Sequence, residues 1–301
     1  MTAANDPHAA LRAFKKNHDF FVGIDSDGCV FDSMEVKQKE CFIPNIIEYY
    51  GLAAISKYAR EAAEFVNLYS KYRGINRFPA LTKTLDLLAE RPEVAARNFV
   101  LPRLQGVRDW LDRETKLGNP ALKRAVEETG DPDLTLTYAW SEAVNATVGR
   151  MVKDVPPFPF VVPSLELLKG KADVMVVSAT PSEALEREWS EHGLSKYVGL
   201  IAGQELGVKK EHLQYATEGK WAKDKVLMVG DAPGDRKAAE AVGVLFYPID
   251  PGHEDESWRR FHDEALPRFF AGTYGGSYMD EQVARFESLL PENPPWSVVS
   301  R

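Results

Sequence analysis

Residues 20–33 read Phe20-Phe21-Val22-Gly23-Ile24-Asp25-Ser26-Asp27-Gly28-Cys29-Val30-Phe31-Asp32-Ser33. A short apolar run passes directly into two acids separated by one serine. Apolar runs without polar alternation suit strands of a parallel sheet covered on both faces. The acids then stand at the strand's C-terminal edge, where open α/β sheets bind their ligands. Two carboxylates so close repel unless a cation or a shared proton offsets them. Gly28 permits a tight turn beyond them. Asp-Gly is also a common turn dipeptide, so this stretch alone also reads as a solvated turn.

Further along the chain, three similar runs each end in turn or polar residues: 174–177, 226–229 and 244–247. Residues 196–202 form a weaker fifth strand candidate. Helical patterns at 182–192, 210–216 and 235–242 separate the later runs, and this alternation predicts a doubly wound, Rossmann-like parallel sheet. Residues 33–160 differ, with helical patterns at 35–50, 56–72, 80–89, 106–113, 120–129 and 136–152 and no strand. Val155-Pro156-Pro157-Phe158-Pro159 closes that region as a stiff connector. A structureless loop of that length is implausible, so the insertion is expected to be an all-helical domain of its own. The expected organisation is a core from 1–32 and 161–301, with the helical domain at 33–160. Residues 280–290 are expected to add a helix to the core.

The totals fit one large or two smaller folded units: 301 residues, 44% hydrophobic, net charge -8. No long Lys/Arg run exists, which argues against nonspecific nucleic-acid binding. No apolar run is long enough to span a bilayer. Residues 1–7 lack a signal-peptide pattern. Cys29 and Cys41 do not make a disulfide framework. The expectation is a soluble cytoplasmic protein without nucleic-acid or membrane partners, its oligomeric state left open.

A second acid pair follows the 226–229 run in Gly230-Asp231-Ala232-Pro233-Gly234-Asp235. Asp235 alone reads as a helix cap. Two strands that both empty into paired acids are a rarer coincidence, and hard cations such as Mg²⁺ take oxygen ligands of this kind. Ser178 closes the 174–177 run ahead of a helix start. There it suits either a turn or a phosphate contact.

Taken in order, these features resemble the haloacid dehalogenase-like superfamily of phosphohydrolases. Asp25 and Asp27 match its Asp-x-Asp-Gly signature, Ser178 its second motif, and Asp231 with Asp235 its Gly-Asp-x-x-x-Asp motif. Its lysine falls at Lys209, 22 residues before Asp231, with Lys210 the alternative. The helical insertion resembles the family's cap, expected to close over the site and contact substrate. The resemblance implies an Mg²⁺-dependent phosphatase in which Asp25 attacks phosphorus and Asp27 serves as acid, then base. Asp25, the Asp27 carbonyl and Asp231 would hold the metal with support from Asp235, while Ser178 and the lysine hold the phosphoryl oxygens. Asp27 favours C–O–P chemistry over C–Cl or C–P cleavage. A small phosphorylated metabolite is the implied substrate. Arg73 and Arg77 are the cap's candidates for contacting it, and each also reads as a basic surface residue. Alternatives are a sugar-phosphate mutase using the same motifs, or a noncatalytic phospho-accepting module.

Overall fold

The computed structural model describes residues 6–298. These form two compact units: the residues up to Met34 with Asp154–Leu289, and Glu35–Lys153 with the residues from Leu290 on.

The first unit is built on a five-stranded parallel sheet: β1 Phe20–Ile24, β2 Ala172–Val177, β3 Leu200–Ala202, β4 Val226–Gly230 and β5 Leu245–Pro248, in the order β3-β2-β1-β4-β5. The apolar runs of β2 and β4 are buried at every position, as strands covered on both faces must be. The weak candidate at 196–202 keeps only its last three residues as the short edge strand β3. β1 lies at the centre, with Ile24 in register with Val176 on one side and Val229 on the other. The chain builds outward from β1 through β2 and β3, then returns to its other side for β4 and β5. The reversal places the C-terminal ends of β1 and β4 side by side, at the kind of switch point where such sheets bind ligands.

Glycine in the middle of β1 has a packing reason. A Cβ on Gly23 would meet Leu213 Cδ2 and Val177 Cγ2, each at 3.0 Å. Leu213, in the Lys209–Thr217 helix, therefore lies so close to the central strand that a side chain there would force its neighbours to give way.

The second unit is all helical, with its own core around Leu85, Leu88, Val107 and Trp140. Its expected helices form at Ile43–Tyr49, Ser56–Asn67, Arg77–Ala89, Gln105–Leu111, Asn119–Thr129 and Pro132–Met151. The first is preceded by a wide π turn at Lys37–Phe42.

The boundaries differ from those expected from sequence. The proline-rich connector belongs to the sheet unit: Phe158 N–H donates to the Val30 carbonyl at 2.9 Å, and Val155 and Phe158 pack on the sheet's core. The described residues after Leu289 belong to the helical unit, not the core. Trp296 lies 5.8 Å from Phe65 and 4.1 Å below the Arg91 guanidinium. The 280–290 helix forms as Ser277–Ser288 in the sheet unit. Sequence patterns also passed over Val161–Leu168 and the helical run from Glu254 to Phe270.

Candidate active site

The sheet carries four segments to one place. Asp25 follows β1, and its N–H donates to the Val229 carbonyl at 3.0 Å, continuing the β1–β4 ladder one residue past the strand. Its side chain is turned inward, 5% exposed. Oδ1 accepts the Ser26 N–H at 2.8 Å, and Oδ2 accepts Lys209 Nζ at 2.6 Å. The loop beyond is tight: Gly28 takes φ +75°, and Val30 N–H donates to the Ser26 carbonyl at 2.8 Å. Only glycine adopts such a φ without a steric cost. Trp258 Nε1, from a helix far along the chain, donates to the Cys29 carbonyl at 2.7 Å and pins the loop's far side.

Lys209 begins its helix at the N-terminus, where Glu211 Oε2 accepts the Val208 N–H at 3.0 Å. From there Nζ bridges Asp25 Oδ2 and Asp235 Oδ1, 2.6 Å from each. Lys210 is exposed, so the structure separates the two lysines that the sequence left as alternatives. Asp235 is the third residue of the Pro233–Val242 helix, and its two oxygens serve two different partners. Oδ2 accepts the Ala232 N–H at 3.0 Å, capping the helix, while Oδ1 holds Lys209. Gly230 makes this possible, because a Cβ there would lie 2.4 Å from Asp235 Cβ and Cγ. Asp231 follows β4 and is 1% exposed.

One carboxylate oxygen each from Asp25, Asp231 and Asp235 lies within 4.8 Å of the others, all three residues buried. Burial raises the Asp25 carboxyl well above the usual carboxylate range. The Lys209 ammonium opposes this, and the neighbouring Asp235 and Asp231 charges add to it. Burial works against the Lys209 charge, but Asp235 and Asp25 outweigh it and hold the ammonium strongly protonated. Three acids against one ammonium leave a net negative, buried oxygen cluster. Hard divalent ions such as Mg²⁺ are held by this donor chemistry, so the residues fit such an ion.

Asp27 follows Asp25 by two residues, and both its oxygens are held by hydroxyls. Oδ1 accepts from Ser33 Oγ, and Oδ2 accepts from Thr180 Oγ1 at 2.9 Å. Thr180 lies in the loop after β2, and its N–H donates to Ser178 Oγ at 3.2 Å. Ser178 is 2% exposed, with its N–H donating to the Ala202 carbonyl at 3.0 Å. Ser26, between the two acids, points away from them: its Oγ donates to Glu188 Oε2 and accepts from Trp189 Nε1, each at 3.0 Å.

Sequence reasoning missed Thr180, Ser33, Glu188 and Trp189. Thr180 had a signal, as a second hydroxyl in the strand-end loop that carries Ser178. The other candidates lie in the helical unit. Arg73 is buried and Nη1 donates to the Leu68 carbonyl at 2.9 Å. Arg77 Nη1 donates to Ser141 Oγ at 3.0 Å and Asn145 Oδ1 at 2.8 Å.

Residues 22–243 match a family model described as haloacid dehalogenase-like hydrolase. No curated protein matches the sequence. Among solved structures, the chain is similar to one provisionally named phosphoglycolate phosphatase from Lactobacillus delbrueckii subsp. bulgaricus, at 13% identity, covering 86% of this chain and 100% of that one, TM-score 0.48. It is also similar to a HAD-superfamily hydrolase of subfamily IA, variant 1, from Geobacter sulfurreducens, at 19% identity over 78% and 89% of the two chains, TM-score 0.40. A structure from Thermotoga maritima provisionally named beta-phosphoglucomutase matches at 17% identity over 76% and 84%, TM-score 0.38.

Proposed function

Because this chain belongs to the haloacid dehalogenase-like hydrolases, we propose that it is an Mg²⁺-dependent phosphatase that hydrolyses a small phosphorylated metabolite through a phosphorylated Asp25. The observation that carries this reading is the buried Asp25 carboxylate, 2.6 Å from Lys209 Nζ and clustered with Asp231 and Asp235. Carboxylates are among the side chains able to form covalent phosphoryl intermediates.

In the first step an Asp25 oxygen attacks phosphorus, and the bond from phosphorus to the substrate oxygen breaks. Asp27, as the acid, gives that leaving oxygen its proton. A water then attacks the phosphorus of the acyl phosphate, Asp27 takes the water's proton, and inorganic phosphate leaves as the Asp25 carboxylate is restored. The Ser33 and Thr180 hydroxyls fix the Asp27 carboxyl in one orientation through both steps. Ser178 Oγ and Lys209 Nζ are the donors for the phosphoryl oxygens, where charge builds in the transition state. Asp25, Asp231, Asp235 and the Asp27 carbonyl are the ligands proposed for Mg²⁺. When bound, Mg²⁺ supplies the positive charge that lets an anionic nucleophile approach an anionic phosphate.

We place the protein in the cytoplasm and assign it no nucleic-acid partner. No helix among the described residues is long and apolar enough to cross a membrane. Cys29 and Cys41 are free, buried thiols, as usual where thiols are kept reduced.

The test is a screen of phosphorylated metabolites with Mg²⁺, comparing the wild-type chain with Asp25→Asn. The expected result is release of inorganic phosphate that is abolished by Asp25→Asn and by chelation. Formation of an isomeric sugar phosphate would make the protein a mutase instead. Turnover that survives chelation would refute the metal assignment. If wild type and Asp25→Asn are equally inert across the panel, the enzyme reading fails and a phosphate-binding module remains.

A further inference from the structure

The helical unit holds a guanidinium that its own fold does not neutralise. Arg77 opens the Arg77–Ala89 helix and leans on the Pro132–Met151 helix. Its Nη1 donates to Asn145 Oδ1 at 2.8 Å, Ser141 Oγ at 3.0 Å and the Ser141 carbonyl at 3.4 Å. The Phe42 ring centre lies 4.9 Å from the guanidinium carbon. Every one of these partners is neutral. Two other arginines of the unit are treated differently: Arg91 pairs with Glu61 and Arg108 with Asp86, each at 2.6 Å. Among the described residues no carboxylate comes within 4.0 Å of Arg77. The acid whose charge reaches it, Glu142, is separated by a relay. Arg77 donates to Ser141 Oγ, Ser141 Oγ donates to Asn119 Oδ1 at 2.6 Å, and Asn119 Nδ2 donates to Glu142.

A guanidinium carries five N–H donors. Those of Nη1 are committed, while Nε and Nη2 donate to no described atom of the protein. That pair forms the edge that grips a carboxylate or phosphate with two parallel hydrogen bonds. Burial pushes the Arg77 pKa down to about 10, with Glu142 acting weakly in the other direction. Arg77 is half-buried, and a partly desolvated charge without a counter-ion carries a cost of which cation–π contact returns only part. The fold nevertheless retains this charge and fixes its plane from one side, leaving the two-pronged edge unused.

We infer that the helical unit binds a small organic oxyanion at Arg77, two of its oxygens accepting from Nε and Nη2, with Ser141, Asn145 and Phe42 positioning the guanidinium. Carboxylates and phosphoryl groups share this two-oxygen anionic face. The assignment lies within the helical unit and does not depend on the reading of Asp25.

The experiment titrates the full chain, wild type and Asp25→Asn, with malonate and separately with inorganic phosphate at matched ionic strength. Binding is read by NMR at the Arg77 Nε–H and the Asn145 side-chain amide. The expected result is a saturable shift at both positions, equal in the two proteins. Saturation by malonate alone assigns a carboxylate, by phosphate alone a phosphoryl group. Arg77→Lys keeps the charge but loses the fork, and should weaken binding about tenfold, read at Asn145. Arg77→Met should abolish it. If Arg77→Met does not fold, Arg77→Lys carries the comparison. The absence of a saturable shift with either anion overturns the inference, as does binding that Arg77→Lys leaves unchanged.

Discussion

Gly230→Ala tests the packing that assembles the acid cluster. Gly230 ends β4 and lies against Asp235, where an added Cβ would come 2.4 Å from Cβ and Cγ and 2.5 Å from Oδ2. Carbon atoms sit comfortably at about 3.5–4.0 Å, so Asp235 would have to retreat by roughly 1 Å. Gly230 does not have a positive φ, which leaves the cost purely steric. Retreat breaks both Asp235 contacts: the cap to Ala232 at 3.0 Å and the bond to Lys209 at 2.6 Å. Giving up the charge-assisted bond and the cap costs about 1.5–3 and about 1 kcal/mol. The two losses together set the expected destabilisation at about 2.5–4 kcal/mol. On the function proposed for the acid cluster, a displacement of roughly 1 Å there also costs about a hundredfold in rate. The assays are urea unfolding and Mg²⁺-dependent turnover of an aryl phosphate. Gly234→Ala is the control, since nothing lies within 4 Å of a Cβ there. It should be neutral or stabilising by up to about 1 kcal/mol. A Gly230→Ala chain with wild-type unfolding midpoint and turnover would refute the reasoning.

Thr180→Val removes one of the two hydroxyls holding Asp27. Turnover should fall about tenfold, by roughly one hydrogen bond's worth of orientation, with little change in KM and recovery in Thr180→Ser. Recovery failing in Thr180→Ser would assign the methyl, not the hydroxyl. His212 is fully buried, and its ring faces the backbone of Gly207 and Gly203. Burial, then the Lys209 charge, holds its pKa down to about 4, against 6.5 for the free side chain. The unfolded chain therefore binds the proton more readily, so this contribution is fully present above pH 6.5 and is lost as pH falls towards 4. The loss is on the order of 3 kcal/mol. His212→Leu should flatten the fall in unfolding free energy between pH 7 and pH 4 by that amount, and parallel curves would refute it.

The strands were legible because 174–177 and 226–229 are continuous apolar runs buried at every position, and β1 is buried at all but its first residue, as a parallel sheet covered on both faces requires. The acids were legible because each pair follows such a run within a few residues. Lys209 over Lys210 was not, since both suit the first turn of a helix and only the approach of that helix to Gly23 selects one. Thr180 and Asp27 are 153 positions apart, so their bond exists only once β1 and β2 are neighbours. The residues after Leu289 join the helical unit through isolated contacts, Trp296 with Phe65 and Lys71 with Pro291 and Glu292, which leave no periodicity to read.

The position of β1 at the centre of the sheet also bears on how the molecule is made. Phe20 pairs with Ala172 and Phe21 with Val226, yet β1 is the first strand to leave the ribosome. At five to twenty residues per second, about 10–30 s pass before its first partner is synthesised. Through that interval the segment Phe20–Ile24 has no sheet to join, while the helical residues that follow it can already collapse around their own core. Residues 35–153 can thus settle first, while the described residues after Leu289 join that unit only after every strand has been made, and the chain carries an unpaired apolar strand until β2 emerges. Holding that strand back from other chains is a task for trigger-type chaperones, and overproduction that outruns them should yield aggregates seeded by residues 20–24.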